Sequence, residues 1–266
     1  MKRIIAIILA ALLCLSFAAC ERAVVQETKD PEVDTQMPKV EAPVEAAVET
    51  EPTPEVTQAH SKTDAAEMQI PMQLEFTKVE GLSDKYVDFE NRAFAYNGKV
   101  FKLGESTLKD LIDGGVPFDE RDLNNRGNNV NSNYETDRYT VQINDYAAMQ
   151  IRFVNVTENN LTQEECLLSY VRYYNLYVPQ PDYDAERNAK IAACIVDASE
   201  KVGFSFPITL TKEQLLENSS EGAEADEYNN VKYRVASEVY YGSSGFDFEF
   251  NKETNQLDEV RISWLP

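Results

Sequence analysis

The chain has 266 residues, of which 46 are acidic and 25 basic, for a formal net charge of −21 with its one histidine neutral. A chain this acidic does not bind nucleic acid by neutralising phosphates, and an anionic lipid surface repels it. The one histidine, His60, lies in a Pro/Glu-rich stretch. The folded part therefore holds no Ser-His-Asp or Cys-His nucleophile and no histidine-rich zinc site.

The first element is a targeting segment, residues 1–19. Lys2 and Arg3 open it, Ile4 to Ala19 form an almost unbroken apolar run, and Phe17-Ala18-Ala19 places small residues just before Cys20. The run is shorter than the ~20 apolar residues that a membrane span requires. The layout resembles a lipobox in which Phe17 replaces the more usual leucine. It implies cleavage before Cys20 and a diacylglyceryl group on the Cys20 sulfur, which places the protein, lipid-anchored, on the outer face of the bacterial cytoplasmic membrane. Two acyl chains suffice for stable anchoring. The alternatives are an ordinary secretory signal beside an incidental cysteine, or an uncleaved anchor. Lipidation is favoured because small residues abut the cysteine and polar sequence follows it.

Residues 20–70 read as the lipidated cysteine and an acidic tether. Pro31, Pro38, Pro43, Pro52 and Pro54 recur among Glu, Val, Thr and Ala, and no apolar period of 2 or 3.6 persists. Glu21 to Ile70 holds 12 acids against 4 bases. The expectation is a disordered spacer, extended by proline and self-repulsion, that lifts a domain off the membrane.

Pro71 to Pro266 is long enough for one domain with a substantial core. Phe94-Ala95-Tyr96, Asn97-Gly98 and Lys99 to Leu103 predict a hairpin, because Asn-Gly supplies the positive φ angles of a type I′ turn. A short helix follows, capped by Ser106 or Thr107, with Leu108, Leu111 and Ile112 on its apolar face and Gly114-Gly115 stopping it. The Asn-rich run from Asp122 to Asp137 reads as a long surface loop. Alternation at Tyr139, Val141 and Ile143, then at Met149, Ile151 and Phe153, predicts two strands turning at Asn144-Asp145. Cys166 to Tyr174 reads as another strand. Asp184 to Val196 fits a helix with Ala189, Ala192, Ala193 and Val196 on one face, or a strand through Ile191, Ala193 and Ile195; helix is favoured at its start. Thr211 and Gln214 then form a capping box. Strands follow at Val231-Tyr233-Val235, Phe246-Phe248-Phe250 and Val260-Ile262-Trp264. The fold class expected is α+β, with two similar units of helix plus antiparallel meander, about 92–175 and 204–266.

The segments Tyr96 to Gly104 with the Ser106 to Gly114 helix, and Ile151 to Thr157 leading into Glu164-Glu165-Cys166, resemble uncharacterised lipoproteins of clostridia-like Gram-positive bacteria. The resemblance covers most of Pro71 to Pro266. It implies tandem helix-plus-meander units like those of the β-lactamase-inhibitor fold and of small outer-membrane-assembly lipoproteins, which act by binding proteins. Glu217 to Glu227 lacks their Leu-Gly-x-Pro closing turn, and no functional residue carries over.

Several chemistries have formal candidates. Cys166 and Cys194, the cysteines of the folded part, leave open a disulfide or two separate thiols, and the separate thiols are favoured. Asp122-x-Asn124-x-Arg126-Gly127 mimics a calcium loop, but Arg126 stands where an oxygen ligand belongs and Asn133 replaces the bidentate glutamate at the twelfth position. Glu164-Glu165 and Asp182-x-Asp184 are acid pairs of the kind glycoside hydrolysis uses. Tyr173, Tyr174 and Tyr177, with Tyr240 and Tyr241, are candidates for a contact surface, weighed against sheet cover or core. No metal or cofactor is expected. The function expected is a non-enzymatic interaction module with a protein or cell-wall partner. The rivals are a carboxylate-based wall-glycan hydrolase and a small-ligand-binding lipoprotein.

Overall fold

The computed structural model describes residues 69–219 and 222–266. Residues 1–19, Cys20 and the tether up to Met68 lie outside the described residues. The fold is α+β, with four helices and three antiparallel sheets among the described residues. Among the described residues no helix is long and apolar enough to cross a membrane.

β1 (Ala93–Tyr96) and β2 (Lys99–Lys102) form the hairpin foreseen at Asn97-Gly98, whose φ angles are 47° and 78°. Thr107, not Ser106, caps α1 (Leu108–Asp113). Its Oγ1 accepts the Asp110 N–H at 3.2 Å, and the Asp110 carboxylate accepts the Thr107 N–H at 2.8 Å. Gly114 closes the helix where a Cβ would strike the Phe101 ring.

The segment read as one long loop carries structure of its own. α2 (Glu120–Leu123) opens it, and β3 (Asn129–Val130) pairs with β6 (Leu161–Thr162). β4 (Tyr139–Gln142) and β5 (Ala147–Val154) follow the predicted alternation, and β7 (Leu167–Asn175) lies where a strand is read from Cys166 to Tyr174. A 3-10 turn at Gln163–Glu165 leads into β7.

The ambiguous segment is helix. α3 (Ala185–Lys201) is capped by Asp184, whose Oδ1 accepts the Arg187 N–H at 2.8 Å. The buried face differs from the expected one: Asn188, Ile191, Ile195 and Ala198 point inward, while Ala189, Ala193 and Val196 are exposed. Two isoleucines hide more apolar area than a row of alanines, so they set the rotation of the helix. β8 (Val202–Gly203) then pairs with β1.

α4 (Lys212–Asn218) carries the expected capping box, with Thr211 Oγ1 accepting the Gln214 N–H at 3.3 Å. β9 (Glu224–Ala225), β10 (Asn230–Ala236), β11 (Ser243–Phe250) and β12 (Leu257–Ser263) complete the chain.

The strands read as two meanders lie in one seven-stranded antiparallel sheet, ordered β4-β5-β7-β12-β11-β10-β9. The junction is β7 against β12, with Val171 opposite Ile262 and Tyr173 opposite Val260. One continuous core spans it: Met149, Ile151, Val171, Tyr173, Val260, Ile262, Phe246, Phe248, Val231 and Tyr233 from the sheet, beneath Ile191, Ile195, Phe204 and Phe206. The cap threonines of α1 and α4 occupy matching places. Thr107 bridges to Leu167 at the start of β7, and Thr211 bridges to Gln256 just before β12.

Candidate functional site

Strand alternation that sends apolar side chains to the core sends the others to the opposite face. Among the described residues no helix packs on that face, and it carries Gln150 and Arg152 on β5, then Tyr170, Arg172 and Tyr174 on β7. Glu259 and Arg261 stand on β12, Asp247 and Glu249 on β11, and Lys232 and Arg234 on β10. Register sorts them into rows. One row runs Gln150, Arg172, Arg261, Asp247, Lys232; the next runs Ala148, Tyr174, Glu259, Glu249, Asn230.

Like charges sit directly opposite in both rows: Arg172 against Arg261, and Glu259 against Glu249. Such pairs are unfavourable alone. They are tolerated because the rows interlock. Arg172 donates to Glu259, Arg261 contacts Glu259 through Nε, and Arg261 Nη2 reaches Glu249 Oε1 at 2.6 Å. Glu259 is only 6% exposed and lies between two guanidinium groups. Glu259 also holds Arg172 more firmly protonated than an ordinary arginine. At the margins Arg152 pairs with Glu135 at 3.1 Å, and Arg234 with Asp247 at 2.6 Å. The Arg172 guanidinium lies 4.6 Å over the Tyr174 ring.

A β-bulge interrupts β11–β12. Glu249 faces Glu259 and Phe250 faces Leu257, so Asp258 is the extra residue. Here a cleft of about 260 Å³ opens between Tyr174, Tyr177, Glu249, Asn251, Asp258 and Glu259. Burial pushes the Asp258 carboxyl up to about 6, against a lowering hydrogen bond from Asn251 and with the help of the Glu249 and Glu259 charges. Among the described residues no group of three or more His, Cys, Asp or Glu side chains is arranged to hold a metal ion.

Compared with known protein families, curated proteins and solved structures, the chain matches none.

The tyrosines singled out in the sequence separate. Tyr173 is a correction: it is fully buried on the core face, its hydroxyl donating to Asn175 Oδ1 at 2.8 Å, and it cannot contact a partner. Tyr174 and Tyr177 flank the cleft, with the Arg187 guanidinium 5.2 Å from the Tyr177 ring. Tyr240 and Tyr241 lie on the β10–β11 connection, at the other end of the strands.

The remaining candidates have local roles. Cys166 and Cys194 are free thiols. Cys166 is buried against the Thr162 carbonyl at 3.4 Å, and burial pushes its thiol up to about 11, away from nucleophilic thiolate character. Cys194 is half-buried on α3, its carbonyl accepting from Asn144. Glu165 caps the 3-10 turn through Thr162, and Glu164 approaches Arg126 at 3.9 Å. Glu164 lines a cleft with Glu120 and Arg126 that Glu165 does not enter, Asp184 caps α3 and Asp182 is exposed, so neither pair brings both its acids into one cleft. Asp122 accepts the Thr140 N–H at 2.7 Å. The acids that do converge, Glu249, Asp258 and Glu259, escaped sequence reading. The only signal was Asp258-Glu259 beside an apolar run, which is common in so acidic a chain.

Proposed function

We propose that the protein is a non-enzymatic interaction module, anchored by lipid on Cys20 to the outer face of the bacterial cytoplasmic membrane. On this reading residues 21–70 are its spacer, and the uncovered sheet face with its flanking loops is its contact surface. We read the domain as two fused helix-plus-meander units, about 92–175 and 204–266. Support for the fusion comes from the matched bridges of Thr107 and Thr211 and the antiparallel join of β7 to β12.

The observation that carries the reading is the arginine–tyrosine–carboxylate lattice on the uncovered face. Arg and Tyr are the side chains most enriched where protein contacts concentrate their energy. Here they are held in place by mutual ion pairs, which lowers the ordering cost of binding. The resemblance to lipoproteins that bind proteins points the same way. The partner class is a protein or a wall component. The test is recovery of partners from intact cells with the full chain and with Cys20→Ala. A partner retained only by the anchored chain supports the reading, and nothing recovered above that control overturns it.

A second reading has one specific observation in its favour. Three carboxylates share the cleft, and one is pushed toward neutrality while its neighbours are ion-paired, the pattern of an acid beside a carboxylate base. It predicts that the domain releases reducing ends from purified wall glycan and that Asp258→Asn abolishes the release. No release at any pH from 4 to 8 removes it.

A further inference from the structure

The β10–β11 connection, Ser237 to Gly242, differs from the other turns in what it exposes. Tyr241 is fully exposed, Val239 is 71% exposed, and Val235 is exposed at its base. Such a concentration of apolar surface at one tip costs solubility unless it is used.

The loop is also braced. Ser237 Oγ accepts the N–H groups of Val239 at 3.1 Å and Tyr240 at 2.8 Å, and donates to the Pro266 carbonyl. The Ser237 N–H closes the loop on the Gly242 carbonyl at 3.0 Å. Tyr240 points back into the molecule, its hydroxyl donating to Asn133 Oδ1 at 2.7 Å. The two adjacent tyrosines therefore divide the work: Tyr240 ties the loop down and Tyr241 is held out. Tyr134, next to the tie point, adds a second ring that is 65% exposed.

We infer that the Ser237–Gly242 loop is a preformed binding knob, whose Tyr241 and Val239 enter an apolar, basic-rimmed pocket on a partner protein. This rests on the reading of the chain as an interaction module. A protruding aromatic with an aliphatic neighbour fits a concave apolar pocket, and bracing lowers the ordering cost of inserting it. Charge selects the rim: Glu238 is exposed within the loop, and residues after Ile70 hold 34 acids against 19 bases. The same charge disfavours an anionic membrane surface. A glycan is disfavoured because Val235 and Val239, the exposed aliphatic side chains of this connection and its base, offer no side-chain hydrogen bonds. Two side chains cannot cover the ~800 Å² that each partner contributes to a stable interface. Tyr134 and the adjoining strand ends supply the surrounding contact.

The test places the photo-crosslinking residue p-benzoylphenylalanine at position 241, 239, 174 or 109 of the full chain in its own cells. Positions 241 and 239 are expected to give an adduct with the same protein, and position 109, on the exposed side of α1, none. Peptide mapping should place that adduct in an apolar concavity flanked by Lys or Arg. Tyr241→Ala, combined with the probe at 239, should lower the yield about tenfold or more, and Tyr241→Phe should preserve it. The urea midpoint of Tyr241→Ala should match that of the wild type, which separates binding from folding. An adduct at 174 but not at 241 overturns the knob and leaves the interaction module standing. Adducts at no position overturn both. Equal adducts at all four positions, a lipid or glycan adduct, or an undiminished yield in Tyr241→Ala overturns the knob.

Discussion

Asp258 and Glu259 are neighbours in sequence and opposites in electrostatics. Glu259 is buried but flanked by Arg172 and Arg261, so its charge is compensated. Removing it leaves Arg172 without a carboxylate partner and Arg261 with Glu249 alone. Glu259→Ala is expected to cost about 3 kcal/mol in urea unfolding, and a loss under ~1 kcal/mol would show that the lattice is only a solvated decoration. Asp258 has burial without an equal partner, so its folded-state carboxyl is raised to about 6 from 3.8. A raised carboxyl binds its proton more tightly folded than unfolded. Its contribution is therefore full below pH ~4 and is lost as the pH rises through about 6. Asp258→Asn should then match the wild type at pH 4 and exceed it at pH 7.5, by about 1–2 kcal/mol after allowance for the part of the group that water still screens. Equal destabilisation at both pH values would contradict this. Neither role can be read from the dipeptide, because the bulge that sets Asp258 in the cleft depends on where β11 meets β12.

At the scale of elements, local chemistry was largely legible. Asn97-Gly98 and Thr211-x-x-Gln214 specify their turn and cap through contacts within four residues, and each forms as the residues imply; at the first helix, where Ser106 and Thr107 were both candidates, Thr107 caps with Asp110. Thr107→Ala and Thr211→Ala should each lower stability by about 1 kcal/mol, and the double variant by about the sum, since the two caps share no partner. A cost from one cap alone would undo the equivalence argued for the two helices. What alternation does not state is which of its two parities faces inward. Tyr173 and Tyr174 are adjacent and chemically identical; the pairing of β7 with β5 and β12 buries the first and leaves the second beside the cleft. For α3 the error ran the other way: alanine spacing suggested a face, and the two isoleucines took it.

At the scale of the molecule, the β7–β12 join makes the two halves interdependent. Trp264, the single tryptophan, reports on it: its backbone N–H donates to the Ser169 carbonyl at 2.8 Å, and its ring packs where any Cβ on Gly104 would collide. Parting the halves would expose the apolar faces of β7 and β12 and two unpaired strand edges. Residues 92–175 or 204–266 alone should therefore lack a cooperative thermal transition by circular dichroism. In the intact chain, Trp264 fluorescence and far-ultraviolet circular dichroism should trace one coincident urea transition. Two separated transitions, or a folded isolated half, would contradict the single core.

The residues alone determined the acidity, the lipid-signal layout, the turns, the caps and most strands, because each depends on composition or on neighbours a few positions apart. Tertiary structure decided three things. Pairing across 87 residues put Arg172 beside Glu259 and built the lattice. The bulge placed Asp258 in the cleft. A tie across 107 residues, from Tyr240 to Asn133, held Tyr241 outward. The physical reason is common to all three: burial and ion pairing are set by which strands meet, and a local pattern that reads the same for either face cannot specify the meeting.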